Sequence, residues 1–502
     1  MTESQNTTLL RVLWALALVF FALRFLWPGD TVYILDEAFM QIRLDEYFAA
    51  GTIPFSNSRG SSIPLPYGPG ALWFYMVARL FTWKPVFIEL YHLCFQILGY
   101  ALFLRTLQKA YGRESAAWCA LLVATSPLLF FFSRHPWDST LYVPLGGAIL
   151  FFLQKLKEGG REFPLHAALG ALGGYAVNTH LMFGPVFLAL ATTLLLWNLR
   201  KHSLRKARSW ALLATFSAGA LLVLLPYLIE AARIAAAEHP LEHARAKSHW
   251  GDGRNLWWIF LRTTLFSSLF GARAMLDDLR AQFFAYVGQP FAFFYKVDIF
   301  GWVGKLAAWG AAFAVLSRLV RLRFDDDPLR IFASLAFLFC VIVYQYLNIP
   351  MAPHYFTPIW WFVFLGIALA IQNLRYLWRW IFIAFLTGTI LVNGSYVAFA
   401  MVYLHKNKGA RNMEASVAVS EQLRNLAWIC EWGRSRGKTD VKIYKDAFLG
   451  EPAFDFLPKH MPECSGVTTT LVTDPHAADI LLHHPRDSQT SAALVADPTN
   501  NP

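Results

Sequence analysis

The chain has 502 residues, 56% of them hydrophobic and only 15% charged, whereas a soluble domain carries about 25% charged residues; too little polar sequence is present to cover a water-soluble globule. Lysine and arginine outnumber the acids 44 to 33, a net charge of +11. The excess gathers in short loops between apolar stretches, so a nucleic-acid-binding face is not its reason. The five cysteines have no metal-ligand spacing: Cys94, Cys119 and Cys340 lie in apolar runs, and only Cys430 and Cys464 sit in polar sequence.

Taken in chain order, apolar stretches of the length that crosses a bilayer, about 17–25 residues, recur near 9–27, 86–104, 115–132, 139–154, 164–178, 181–198, 210–229, 298–317, 331–347, 355–372 and 381–403. The first lacks a small-residue cleavage site and reads as an uncleaved anchor. The 164–178 stretch is short and holds Gly170, Gly173 and Gly174, which predicts either a tightly packed or a broken helix. Residues 70–83 are apolar but follow Pro64, Pro66 and Pro69. At about fourteen residues they are too short to span, and they are expected to lie along the membrane interface.

Basic residues decide the orientation. With the N-terminus cytoplasmic, five short loops fall inside. They carry Arg105, Lys109 and Arg113; Lys155, Lys157 and Arg161; Arg200, Lys201, Arg205, Lys206 and Arg208; Arg318, Arg321, Arg323 and Arg330; and Arg375 and Arg379. The short outer loops at 133–138, 178–180 and 348–354 hold Arg134 alone. Residues 1–403 then form an all-α polytopic membrane bundle of about eleven helices. Its long outer loops run over 28–85 and 230–297. Residues 404–502 form a small extracytoplasmic α/β domain, with a helix from Arg411 to about Trp432 and strands at 441–445, 468–473 and 479–483. An oxidising compartment permits a Cys430–Cys464 disulfide, which is expected.

Candidate chemistry lies on the outer side. Asp36 and Glu37 follow the first span and, one residue apart, cannot share a helical face; one can point into a cavity while a cation holds the other, or both can simply cap a helix. The 133–138 turn, Ser133-Arg134-His135-Pro136-Trp137-Asp138, adds an arginine and a carboxylate that could equally mark a helix end. Asn178, Thr179 and His180 make another outer turn, suited to a phosphate or to packing. Glu89, His92 and Gln96 share one face of the second span; charge at that depth must look into the bundle, as glue or as site. In the second outer loop His243, Arg245, Lys247, His249, Asp252 and Arg254 alternate with Trp250, Trp257 and Trp258. That mixture suits an anionic headgroup or an ordinary amphipathic helix. Pro353, His354 and Tyr355 open the tenth span. The sequence contains no P-loop, no GxGxxG after a strand, no HExxH and no GxSxG.

In order, the acidic pair, the Pro64-Leu65-Pro66-Tyr67-Gly68-Pro69 stretch before an interfacial helix, the Arg134–Asp138 turn, the Thr179-His180 turn and the late His354-Tyr355 turn resemble the GT-C membrane glycosyltransferases. That group includes protein O-mannosyltransferases and the aminoarabinose and galacturonic acid transferases of lipid A. The Thr-Lys of many relatives reads Thr179-His180 here, and the basic residue before the late tyrosine is His354. The Trp-Trp-Asp motif of oligosaccharyltransferases is missing, which argues against whole-oligosaccharide transfer to asparagine.

The resemblance implies a bacterial inner- or plasma-membrane enzyme that moves one hexose or pentose, with inversion, from a polyprenyl-phosphate donor to a hydroxyl on a lipid, glycan or protein. Asp36 would be the base and Glu37 its catalytic neighbour. Arg134, His180 and Arg254, with Tyr67, His249, His354 and Tyr355, would bind the lipid phosphate, and Glu37 and Asp138 would orient these groups. A divalent cation is compatible with this set, and no other cofactor is implied. A transporter or lipid flippase is the alternative, but no repeat of the kind common in transporters is present; a non-catalytic assembly protein is a third reading. The topology carries its own test: a reporter active only in the cytoplasm, fused after Pro502, should be silent, and a signal from it would refute the eleven-span arrangement.

Overall fold

The computed structural model describes residues 3–30, 35–57, 67–202, 206–238, 277–287, 327–346, 353–409, 418–445, 451–483 and 494–496. Ten of the expected spans coincide with described helices, and the one expected at 298–317 lies outside the described residues. The first span is α1, Glu3–Leu23. The next two are arms of α4, Pro85–Thr125, which breaks at Gly112 with φ +85°, a conformation that glycine adopts without a Cβ penalty. Unbroken, its 41 residues would run about 60 Å, twice the hydrocarbon thickness. The break folds the arms side by side, so that the Tyr100 hydroxyl donates to the Leu129 carbonyl at 3.2 Å beyond the far end of the second arm.

That arm ends at Ser126-Pro127 and continues as α5, Pro127–Arg134. Proline lacks the N–H that would pair with the Val123 carbonyl. The buried Arg24 guanidinium supplies donors instead, to Val123 at 2.8 Å, Ala124 at 3.1 Å and Leu129 at 3.3 Å.

The fourth to seventh spans are α6 (Tyr142–Lys157), α7 (Glu162–Thr179), α8 (Gly184–His202) and α9 (Ala207–Glu238). Helix α9 runs past the expected loop start at 230, because the alanine-rich segment that follows is good helix former. The remaining spans are Pro328–Tyr346, Phe362–Asn373 with the 3₁₀ turn Pro353–Ile359 before it, and Tyr376–Asn407. Among the described residues seven helical segments are long and apolar enough to cross a membrane. Leu18, Leu222 and Leu391 expose apolar surface on α1, α9 and Tyr376–Asn407, as lipid-facing helices do.

Glycine sets the closest helix contact. Helix α7 is continuous, which settles the choice between packed and broken: a Cβ on Gly170 would stand 2.0 Å from the Phe216 carbonyl oxygen of α9, and one on Gly219 of α9 would stand 2.3 Å from that of Ala167. At the end of the bundle where α6 stops and α7 starts, ion pairs join the basic loops. Lys157 meets Asp327 at 2.8 Å, Glu162 takes Lys201 at 2.8 Å and Arg208 at 2.9 Å, and Arg379 pairs with Glu114.

The expected interfacial segment is α3, Gly70–Arg79, ten residues long and about 15 Å by helical rise, too short to span. Past the bundle, helix Val419–Ser435 packs on a sheet of strands β1 (Asp440–Lys445), β2 (Thr468–Val472), β3 (Ile480–His483) and β4 (Leu494–Ala496) in the order β2-β1-β3-β4. β1 pairs in parallel with β2 and β3, and β4 runs antiparallel to β3. Cys430 and Cys464 form the expected disulfide, Cα atoms 4.9 Å apart. The helix expected from Arg411 starts at Val419, residues 410–417 lying outside the described residues. Helix Glu451–His460 and β4 were not expected.

The glycine contact is testable. Gly170→Ala should lower stability by about 1–3 kcal/mol, as overpacking does, whereas a Cβ on Gly184 meets nothing within 4 Å and Gly184→Ala should not. Thermal unfolding in detergent compares the two; equal melting would contradict close α7–α9 packing.

Candidate active site at one end of the bundle

Helix α2, Leu35–Ala50, carries Asp36 and Glu37 in its first turn. It serves two cores. Met40 and Leu44 are buried in the core of the bundle, while Ala38, with Ile42 beside it, is packed into the C-terminal α/β core against residues such as Val419 and Leu426. Polar contacts hold both ends of this region. Asp30 accepts from His405 Nδ1 at 2.6 Å and from Lys408 Nζ and Ser420 Oγ at 3.3 Å each. Asp45 accepts from Arg79 and takes His460 Nε2 at 2.6 Å.

Glu37 is buried, and its Oε1 lies 3.3 Å from His135 Nδ1, an ion pair whenever His135 is protonated. The Asp36 side chain lies outside the described residues. Arg134 ends α5 with its guanidinium buried. Nε donates to Glu89 Oε1 at 2.9 Å, Nη2 to the Trp27 carbonyl at 2.8 Å and Nη1 to Met401 Sδ at 3.0 Å. The other Glu89 oxygen accepts the Gly29 N–H at 2.9 Å. Glu89, which the sequence left between glue and site, thus supplies a carboxylate for Arg134. Asp138 is half-buried at the head of the 3₁₀ turn Asp138–Leu141 and accepts the Ser139 N–H. Burial first, then the Glu37 and Asp138 carboxylates, pushes the Tyr75 hydroxyl well above its ordinary range, so it stays protonated and able to donate.

His180 ends α7 and stacks on Tyr67, ring centroids 4.1 Å apart. Its Nδ1 accepts the Met182 N–H at 3.2 Å, so the neutral ring carries its proton on Nε2 and is a donor there. Glycine brings Tyr67 to this turn: a Cβ on Gly68 would stand 2.2 Å from the Asn178 carbonyl oxygen. The Pro353–Ile359 turn packs on Asp138–Leu141 and on Leu181–Phe183. It contains His354 and Tyr355, whose side chains lie outside the described residues, as do His249 and Arg254 entirely. Among the described residues no group of three or more His, Cys, Asp or Glu side chains could hold a metal ion; Asp36, His249 and His354 stand outside that statement.

No protein-family model and no curated protein sequence matches the chain. Solved structures do. ArnT from Cupriavidus metallidurans, bound to undecaprenyl phosphate, superposes with a TM-score of 0.52 over 95% of this chain and 93% of its own, at 14% identity. The chain has the GT-C fold. The oligosaccharyltransferase of Archaeoglobus fulgidus shares this fold in its apo form, with a TM-score of 0.51 at 12% identity over 95% of this chain and 66% of its own. Its complex with zinc and sulfate gives 0.50 at 13% identity, over 93% and 63%.

Breaking the buried Arg134–Glu89 pair leaves one charge unpaired, at a cost of about 3–5 kcal/mol. Glu89→Ala and Arg134→Ala should each lose that much, and Glu89→Leu with Arg134→Met far less than their sum. Unfolding of the purified variants measures this; small, additive losses would contradict a tight pair.

Proposed function

We propose that this chain transfers a single sugar from a polyprenyl-phosphate donor to an acceptor hydroxyl, at the end of the bundle that holds Glu37, His135, Asp138 and His180. One observation carries the donor class: the likeness to ArnT, a structure solved with undecaprenyl phosphate, runs over 95% of this chain and 93% of that one. The described contacts are compatible with the chemistry. An acceptor oxygen attacks the anomeric carbon as its proton passes to Asp36, and the bond from that carbon to the phosphate oxygen breaks. The configuration inverts, and the lipid phosphate leaves with the bonding pair. A glycosidase must protonate a poor leaving group; a phosphate leaves without that help, so one base and a few donors suffice.

In this reading Asp36 is the base and Glu37, held at His135, its neighbour. His180 donates from Nε2 to the phosphate, stacked on Tyr67, with His249, Arg254, His354 and Tyr355 as further phosphate-side groups. A neutral donor can replace the lysine of many relatives, because a hydrogen bond needs no net charge. Arg134, partnered by Glu89, contributes by fixing the turn that carries His135 and Asp138. The basic loops support an extracytoplasmic position for this end, with the acceptor a lipid, glycan or protein of the envelope.

Asp36→Asn tests the base. Asparagine keeps the size and one acceptor oxygen but cannot take the proton, and general-base assistance is worth about 10²–10⁴-fold. Transfer by purified enzyme in liposomes should fall at least a hundredfold with the protein folded and inserted. Near-normal turnover would show that Asp36 only caps α2, where asparagine serves as well.

A further inference from the structure

One face of α4 meets the 132–140 turn at the Phe132 and Thr140 carbonyls, the Thr140 hydroxyl and the Arg134 guanidinium. His92 and Gln96 are both fully buried. His92 Nε2 lies 3.2 Å from the Phe132 carbonyl and 3.0 Å from Gln96 Nε2. His92 Nδ1 and the Tyr75 hydroxyl are hydrogen-bonded at 2.9 Å, and that hydroxyl also stands 3.4 Å from the Trp137 carbonyl. Gln96 Nε2 donates to the Thr140 carbonyl at 2.9 Å. Thr140 Oγ1 lies 3.3 Å from His92 Nε2 and bonds back to the His135 and Trp137 carbonyls at 3.0 and 2.6 Å. One helical turn away Glu89 holds Arg134.

We infer that the Glu89, His92 and Gln96 face, with Tyr75, is a template that positions the 132–140 turn, and through it His135, Asp138 and the Glu37 carboxylate. Buried polar groups without partners are costly, so a turn that gives Phe132, Trp137 and Thr140 carbonyls to this face has one arrangement that satisfies them. These are positioning residues: they touch the turn, and the turn holds the groups that would meet substrate. For its effect on reaction the inference rests on the glycosyl transfer proposed above; for the turn it rests on the contacts alone.

The test keeps those two apart. Ser139 is buried with a hydroxyl that has no partner among the described residues, so Ser139→Cys breaks none of their hydrogen bonds and reports the turn, in a background where the exposed Cys94 is replaced by serine. This parent is then combined with His92→Phe, Gln96→Leu or His92→Gln and followed in two assays. Maleimide labelling of the residue 139 thiol should quicken roughly tenfold in His92→Phe and Gln96→Leu as the turn opens locally. Turnover of a polyprenyl-phosphate sugar should fall about ten- to a hundredfold, the effect of a misplaced reactive group. The KM for the donor should move less than about threefold. His92→Gln, which keeps a hydrogen-bonding group where Nε2 stood, should recover most of both losses. Unchanged labelling in His92→Phe and Gln96→Leu would overturn the template. So would a loss of turnover that follows loss of folded protein and is not rescued by His92→Gln. A parent that transfers no sugar while its labelling responds as stated would overturn the proposed reaction and support the template.

Discussion

The arrangement of this end of the molecule depends on one buried ion pair. A guanidinium and a carboxylate inside a helical bundle lose most of their hydration, and they persist only if every remaining donor and acceptor finds a partner. Arg134 and Glu89 reach into the backbone around them: the Trp27 carbonyl accepts from one guanidinium nitrogen and the Gly29 N–H donates to the second carboxylate oxygen, with Met401 beside the third guanidinium nitrogen. The pair therefore joins the end of the first span, the start of the second, the end of the third and the last. The entry to the 28–85 loop cannot shift without breaking the hydrogen bonds that Trp27 and Gly29 make to this pair. Arg24 does related work lower in the bundle, where Pro127 leaves a carbonyl without its helical donor.

With that entry fixed, the placement of α2 follows from its two faces. Its Met40 and Leu44 side belongs to the bundle and its Ala38 and Ile42 side to the C-terminal core, so the helix that carries Asp36 and Glu37 is gripped from both directions. Asp30 and Asp45 tie the same region to His405, Lys408, Ser420 and His460. The C-terminal unit is thus a wall of the candidate site. The stacked pair Trp27–His405, 4.1 Å between centroids, continues the chain of contacts from Arg134 to Asp30.

Much of the fold could be read from one-dimensional pattern. Hydropathy and loop charge placed ten spans that the structure describes as helical, because membrane spans must be long, apolar and internally hydrogen-bonded. Gly170, Gly173 and Gly174 marked a helix either tightly packed or broken, which the structure resolves as packed, and the cysteines signalled their disulfide. Helix Glu451–His460 carries Pro452 in its first turn, where proline is tolerated, and Pro458 in its last; buried Phe456 and Leu457 hold it in the C-terminal core. For the site, sequence order suggested which turns share an end, and Tyr67–His180 and Glu37–His135 do meet there. The partners were not legible. Nothing local links Glu89 to Arg134 or Asp30 to His405, 375 residues apart. The i, i+3, i+7 spacing of Glu89, His92 and Gln96 announced an inward face but not the turn it holds. The roles of Asp36, Arg254, His249, His354 and Tyr355 rest on the resemblance, since their side chains lie outside the described residues.

The account stands on transfer of one sugar from a lipid phosphate to an envelope acceptor. Mass spectrometry of glycolipids and glycoproteins from otherwise identical cells with and without the gene examines that claim without assuming the sugar or the acceptor. The account predicts the loss of one hexose, pentose or uronic acid from a single acceptor class, together with accumulation of the matching polyprenyl-phosphate sugar. Identical glycan masses and an unchanged lipid-linked pool in cells that express the protein would contradict it.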